Sequence, residues 1–276
     1  MPKKIITIVT SSRTAPGASA LKIAFTNNGW RVRVVLTSEV EQCVRDIEAA
    51  GEVIFRIGPR SFAIYRDKIL PKIHHERHAV LLMRMLEGFS KATQAKVLSA
   101  NNVAIPRTHV ITNISEVVNW LPSVLKYPIG NQGVGVFLTN TAAQLETLTH
   151  EIITSEGVCV QQEYIPLDTV SDKRLFVVGD QVIASMRRLA SGSDFRSNLH
   201  QGGSGEVYHP TAHEESLALK SAASLELPFC GVDIIDSERG PLVLEVNPSP
   251  GFAIAKITGI PIADKIVEYY NQGGRA

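Results

Sequence analysis

Short apolar runs and longer helical stretches alternate along the first part of the chain. Ile5-Ile-Thr-Ile-Val-Thr10, Trp30-Arg-Val-Arg-Val-Val-Leu-Thr37 and Glu52-Val-Ile-Phe-Arg-Ile-Gly58 are rich in β-branched residues and have the length of strands. Helices are predicted between them near 17–28 and 39–50, and Gly29 and Gly51 stand where those helices should stop. Strands alternating with helices in this way predict a parallel sheet with helices packed over it. Residues 81–106 read as one helix carrying Lys91, ended by the break at Ala104-Ile-Pro106.

Beyond that break the pattern changes. Arg107-Thr-His-Val-Ile-Thr112, a helix near 114–120, Ser123-Val-Leu-Lys-Tyr-Pro128, a glycine loop, Val134-Gly-Val-Phe-Leu-Thr139, a helix and Val158-Cys-Val-Gln-Gln-Glu-Tyr-Ile165 follow in order. The last section opens with Arg174-Leu-Phe-Val-Val-Gly-Asp180 and Gln181-Val-Ile-Ala-Ser-Met-Arg-Arg-Leu-Ala190, which predict an antiparallel hairpin turning at Gly179-Asp180. After an irregular stretch come a helix near 212–226, the strands Gly231-Val-Asp-Ile-Ile-Asp236 and Leu242-Val-Leu-Glu-Val-Asn247, and a C-terminal helix. No internal repeat or low-complexity tract interrupts this order.

Composition narrows the class. Of 276 residues, 44% are hydrophobic and 20% charged, which is the make-up of a globular chain rather than a disordered one. A formal net charge of +1 excludes a strongly basic nucleic-acid binder by composition. Cys43, Cys159 and Cys230 are scattered without CxxC spacing, so they offer no zinc set and fit a reduced compartment. The apolar run near the N-terminus is shorter than the roughly 7 to 15 residues of a secretory core, and no run approaches the roughly 20 residues of a membrane span. A cytoplasmic protein without membrane or nucleic-acid partners is expected.

Chemistry gathers in a few places. In Leu244-Glu-Val-Asn-Pro-Ser-Pro-Gly251, Glu245 and Asn247 are two apart, so a strand presents both oxygens on one face. The turn Ser237-Glu-Arg-Gly240 pairs this strand with the one carrying Asp233, bringing three oxygen donors together as a hard cation such as Mg²⁺ prefers. Lys126 precedes Gly130-Asn-Gln-Gly133-Val-Gly135, a loop whose backbone amides can approach a phosphate; an ordinary hairpin would use the same glycines for turn geometry. The strand end Gln162-Glu163-Tyr164-Ile165 offers main-chain groups to an adenine edge. Arg187, Arg188 and the segment Asp194-Phe-Arg-Ser-Asn-Leu-His200 supply cations and an amide suited to phosphoryl oxygens and carboxylates. The first unit has Thr10-Ser-Ser-Arg-Thr-Ala-Pro-Gly17 after its first strand and lacks a GxGxxG dinucleotide fingerprint.

Taken in order from about residue 90, these motifs resemble the ATP-grasp superfamily, and more closely its RimK-type amino-acid ligases. The resemblance implies an α/β chain of three parts: a small Rossmann-like parallel α/β domain (1–88), then two α+β subdomains (89–165 and 166–276) that clasp ATP. It assigns Lys91 and Lys126 to the ATP phosphates, Gln162, Glu163, Tyr164 and Ile165 to the adenine slot, and Asp172 to the ribose. Arg196, Ser197 and Asn198 match the nucleotide-binding RSN segment, and Asp233, Glu245 and Asn247 match the Mg²⁺ ligands, with Mn²⁺ as a substitute. Arg174 and Arg187 are the candidate catalytic cations that hold an acyl phosphate.

The implied activity is an ATP-dependent carboxylate–amine ligase, adding L-glutamate or a similar amino acid to a small-molecule or peptide carboxylate acceptor. A peptide ligase of a natural-product pathway and a non-catalytic ATP-binding regulator are the alternatives. A homo-oligomer, dimer or tetramer, is expected. Residues 1–90 hold 14 Lys/Arg against 8 Asp/Glu, and the cluster Arg60, Arg66, Lys68, Lys72, His74, His75 and Arg77 is a candidate receiver for an anionic acceptor. After Gly251, where many family members carry an acidic residue, this chain runs Phe252-Ala-Ile-Ala-Lys256.

Overall fold

The computed structural model describes residues 4–130, 133–166, 171–189 and 204–274. It opens with β1 (Ile5–Thr10), α1 (Pro16–Asn27), β2 (Arg31–Leu36), α2 (Val40–Glu48) and β3 (Glu52–Arg56). The strands form a sheet in the order β2-β1-β3 with both pairings parallel, as the alternation predicts. A single turn, α3 (Phe62–Ile64), leads through further tight turns to Lys72. The helix expected over 81–106 is two helices, α4 (Glu76–Phe89) and α5 (Lys91–Ala100). Ser90 divides them because its extended backbone and side chain cap α5, accepting a hydrogen bond from the Thr93 amide at 3.2 Å.

The next sheet contains β4 (Thr108–Ile111), β5 (Ser123–Lys126), β6 (Val136–Thr139) and, after α6 (Ala142–Glu156), β7 (Cys159–Glu163). Its order is β4-β7-β5-β6, antiparallel throughout. The helix expected near 114–120 is reduced to one turn, Ile114–Glu116. Buried Gln161 explains this: it accepts from the Val118 amide at 3.2 Å and donates to the Val118 carbonyl at 2.6 Å, taking the groups a helix would have used.

The third sheet is built from β8 (Ser171–Val178), β9 (Gln181–Leu189), β10 (Ser204–Val207), β11 (Phe229–Ile235) and β12 (Leu242–Asn247), with α7 (Ala212–Ser224) between β10 and β11. Its order is β10-β9-β8-β11-β12 and all pairings are antiparallel. The chain ends with α8 (Ile254–Thr258) and α9 (Ile262–Asn271).

Burial joins the first and third sheets into one body. Val9, Phe55 and Leu82 share a core with Leu175, Val232 and Val246. A second core unites Ile6, Ile8 and Phe25 with Phe176, Phe229 and Ile266. Trp30 Nε1 donates to Asn271 Oδ1 at 2.9 Å, pinning α9 to the first sheet. The middle sheet has its own smaller core of Ile111, Leu125, Leu145, Ile152 and Cys159. Truncating fully buried Phe176 to alanine would cost about 3–5 kcal/mol and loosen the joint between the first and third sheets. Among the described residues, no helix is long and apolar enough to cross a membrane.

Candidate active site

A cavity of about 570 Å³ is lined by residues from all three sheets. Its floor is one face of the third sheet. Cross-strand register places Met186 opposite Arg174, Arg174 opposite Asp233, and Asp233 opposite Glu245, so four neighbouring strands contribute one row of side chains to that face. Two residues along, Asp172 lies opposite Arg188 on the same face. On β12 the extra residue Leu244 forms a bulge: Ile234 pairs with Val243 and Asp233 with Glu245. The bulge keeps Val243 and Val246 in the core while Glu245 and Asn247 line the cavity.

The floor is a chain of alternating charges. Arg174 grips Asp233 with two hydrogen bonds, Nε to Oδ1 at 2.7 Å and Nη2 to Oδ2 at 2.6 Å. Arg188 Nη2 also reaches Asp233 Oδ2 at 2.8 Å, while Arg188 Nε donates to Asp172 Oδ1 at 2.6 Å and Nη2 to Asp172 Oδ2. Burial alone would raise Asp233, but Arg174 and Arg188 outweigh it and hold its carboxyl below the usual range. At Asp172 burial prevails, with the negative charge of Asp233 acting in the same direction, and its carboxyl is raised.

Two lysines face this floor from above. Lys126, at the end of β5, donates to Gln162 Oε1 at 2.6 Å, and Gln162 in turn donates to Thr108 Oγ1 at 3.0 Å. Burial pushes the Lys126 ammonium down to about 8, with Glu245 opposing and Lys91 reinforcing the shift. Lys91, the first residue of α5, donates from Nζ to the Gly130 carbonyl at 2.9 Å and stands 4.0 Å from Glu245 Oε1. Gly135 shapes the loop between β5 and β6: its φ is +72°, and a Cβ there would stand 2.6 Å from the Tyr127 ring.

One turn after Lys91, buried Gln94 locks α5 to the edge of β12. Its Oε1 accepts from the Val246 amide at 2.8 Å, and its Nε2 donates to the Val246 carbonyl at 2.8 Å and the Gly88 carbonyl at 2.5 Å. Val246 lies between Glu245 and Asn247, so this side chain completes the hydrogen bonding of the strand that presents them. The sequence reading missed Gln94; its signal was its spacing of three from Lys91, which places both on one side of a helix.

Donor chemistry fits a hard cation at Glu245, Asn247 and Asp233: two carboxylates and an amide. Among the described residues no group of three or more His, Cys, Asp or Glu side chains makes a complete metal cage. A cation held here would take its remaining ligands from outside the protein, as Mg²⁺ does with nucleotide phosphates.

Comparison with known proteins gives the family. The RimK-like ATP-grasp domain matches residues 89–270. The "Probable alpha-L-glutamate ligase 1" of Shewanella frigidimarina is 33% identical, over 96% of this chain and 94% of that protein. The chain belongs to the RimK-like ATP-grasp family. That family is made of ligases, so the enzyme reading replaces the non-catalytic alternative. The fold is shared with the D-cycloserine synthetase DcsG (TM-score 0.76, 16% identity, 98% of this chain and 100% of that one). It is shared also with the ATP-grasp ligase PsnB, solved with a precursor variant, Mg and ADP (TM-score 0.68, 17% identity, 98% of each chain).

Most residues that the family pattern picks out meet in the cavity: Lys126, Gln162, Glu163, Tyr164 and Ile165 line it from the middle sheet and the strand end that follows, Lys91 from the start of α5, with Asp172, Arg174, Asp233, Glu245 and Asn247 below. Three are not free for the parts assigned them, Asp233 among them because Arg174 and Arg188 occupy both oxygens of its carboxylate. The Glu163 carboxylate accepts from the Arg107 amide at 2.7 Å and pairs with Arg239, and that of Asp172 is taken by Arg188. Arg187 requires correction. It lies opposite Lys173 on the other face of the sheet, 3.4 Å from Glu206 and over the Tyr208 ring; Arg188 lines the cavity instead. Arg196, Ser197 and Asn198 lie outside the described residues.

The basic cluster of the first unit also stands apart from the cavity. Arg66 pairs with Asp67 at 2.6 Å, Lys72 with Glu41 and Arg77 with Glu52, and the Glu48 carboxylate accepts from the His74 and His75 amides. All three cysteines are free and buried; burial pushes the thiols of Cys43 and Cys230 up to about 12 and that of Cys159 to about 11, which removes them as nucleophiles.

Proposed function

We propose that this ligase joins an amine to a carboxylate acceptor through an acyl phosphate, with L-glutamate or a similar amino acid as one partner. The observation that carries the reading is the row Arg174, Asp233 and Glu245, with Asn247 beside it, lying beneath Lys91 and Lys126 in one cavity. In the first step an acceptor carboxylate oxygen attacks the γ-phosphorus of ATP and the bond to the β–γ bridging oxygen breaks, releasing ADP. The amine then attacks the acyl carbon, loses a proton and expels phosphate, leaving an amide. Such transfer needs placement and charge neutralisation rather than a protein nucleophile.

Lys91 and Lys126 hold phosphate oxygens, Gln162 orients Lys126, and the backbone from Glu163 to Ile165 borders the base. Arg174 and Arg188 hold the transferred phosphoryl group, and Asp172 acts by fixing Arg188. Asp233, Glu245 and Asn247 would hold Mg²⁺, or Mn²⁺ in its place, which when bound supplies positive charge to the phosphate oxygens. Residues 1–88 form the acceptor side, and 89–165 and 166–276 are the two halves of the clasp. Support for glutamate comes from relatives of similar length that carry glutamate ligase in their names.

The test is ADP release from the purified chain with ATP, MgCl₂, L-glutamate and a panel of carboxylates, with the amide identified by mass spectrometry. ADP and an amide that appear only when both partners are present are expected. Absence of acceptor-dependent ADP across the panel would overturn the reading.

A further inference from the structure

Resting on that ligase reading, we infer that Arg56 forms a carboxylate-binding subsite at the acceptor end of the cavity, so that the acceptor carries a second carboxylate besides the one that reacts. Charge matching leads to it. Of the guanidinium groups lining the cavity, Arg174 is paired with Asp233, and Arg188 with Asp172 and Asp233. Arg56 is the remaining one, and no carboxylate among the described residues lies within ion-pair distance of it. Its Nη2 donates to the Pro250 carbonyl at 2.7 Å, while Nη1 is buried without a hydrogen-bond partner. A buried guanidinium with an unused donor and no counter-ion is costly unless an anion completes it. Burial pulls the group down to about 10, which leaves it charged at neutral pH.

Its surroundings hold it in position. Arg56 is the last residue of β3, and its guanidinium carbon lies 4.9 Å from the centre of the Phe252 ring. Gly17, in the first turn of α1, leaves space on the other side: a Cβ there would stand 2.8 Å from Arg56 Nη2. Neighbouring parts of the wall, Thr10, Ser11, Gly58, Ser249 and Gly251, carry no charge. Pro250 follows the metal-ligand candidate Asn247 by three residues, so Arg56 lies beyond the floor row and on a different sheet from Lys126. A phosphate chain held by the lysines leaves Arg56 for the acceptor. This placement replaces the outer cluster at Arg60 and Arg66 as the anion receiver.

The test uses the full chain with MgCl₂ and the non-hydrolysable analogue AMP-PNP, titrated calorimetrically with N-acetyl-L-glutamate, which has two carboxylates, and with N-acetyl-L-glutamine, which has one. The unmodified protein is expected to bind the first about tenfold or more tightly than the second, the size of one charge-assisted contact. Arg56→Gln should bring the two within about twofold while leaving AMP-PNP affinity unchanged. Gly17→Ala displaces the guanidinium without removing its charge and should also shrink the preference, which decides the matter if Arg56→Gln does not fold. Equal affinities in the unmodified protein, or a preference that survives either substitution in folded protein, would overturn the subsite.

ADP release with N-acetyl-L-glutamate and L-glutamate reports on the ligase reading separately. An Arg56-dependent preference without ADP release, from this acceptor and from the wider panel of carboxylates, keeps the subsite and removes the reaction. ADP release without a preference does the reverse.

Discussion

Replacing Gln94 with methionine keeps the length and volume of the side chain while deleting the hydrogen bonds it makes to β12 and to the end of α4. Three buried main-chain groups then lose a partner: the Val246 amide, the Val246 carbonyl and the Gly88 carbonyl. An unmade hydrogen bond at a buried group costs about 1–3 kcal/mol, and the two carbonyls shared one amide nitrogen, so a total near 2–5 kcal/mol is expected. For a chain of this size that lowers the Tm by on the order of 10 °C. Because Val246 lies between Glu245 and Asn247, the damage reaches function through the cation site. The MgCl₂ concentration for half-maximal ADP formation should rise severalfold, and the KM for ATP at saturating MgCl₂ should change less. Gln94→Glu keeps an acceptor for the Val246 amide but cannot donate, so it should not restore either property. Urea denaturation and MgCl₂ titration of ADP release are the assays. A loss below about 0.5 kcal/mol, within the range of ordinary surface substitutions, would refute the reasoning.

Three further outcomes follow from the same geometry. Arg188→Ala leaves Asp172 and Asp233 sharing a buried site without its bridging cation and should cost about 3–5 kcal/mol in urea unfolding, whereas Arg187→Ala, on the outer face, should leave acceptor-dependent ADP release within about threefold; the opposite ranking would reverse the face assignment. AMP-PNP affinity should fall as pH rises through about 8, where Lys126 loses its proton, and Lys126→Arg should flatten that limb. His78 is 1% exposed and its ring stacks on His75 at 3.9 Å; burial first, then the His75 and Arg77 charges, depress it from 6.5 to about 4. A folded pKa below the unfolded one means its contribution to stability is complete above pH 6.5 and drains away as pH falls toward 4. The total is about 3 kcal/mol, and His78→Phe should remove that part of the acid slope in urea midpoints.

Much of the site was legible where chemistry and local geometry coincide. Glu245 and Asn247 share a face because they are two apart in a strand, and Lys126 precedes a loop whose Gly135 has a backbone that only glycine adopts freely beside Tyr127. The first sheet was readable for a similar reason, since alternating strands and helices admit few arrangements. What escaped notice depends on distant partners. Nothing near Val118 in sequence announces that Gln161 will take its amide and carbonyl, and nothing near Arg56 announces that Asp172 and Asp233 will engage the other two arginines of the cavity.

Arg187 shows a subtler limit. Counting back from the hairpin turn, Val178 pairs with Gln181 and Val177 with Val182, and an uninterrupted ladder would bring Asp172 opposite Arg187. The register shifts after Phe176, where Ile183 is the extra residue, so Asp172 meets Arg188 and Arg187 turns to the outer face. The same device operates in β12. Ile235 pairs with Leu242 and Ile234 with Val243, and an uninterrupted ladder would set Leu244 opposite Asp233; the bulge at Leu244 sets Glu245 there instead. Each bulge reverses the alternation on one side of it, because side chains in a strand repeat with period two. One shift gives Asp172 and Asp233 their shared arginine, and the other gives Asp233 its carboxylate neighbour. The two irregularities therefore decide which charges face the cavity, and removing either residue should scatter the site while leaving most of the core unchanged.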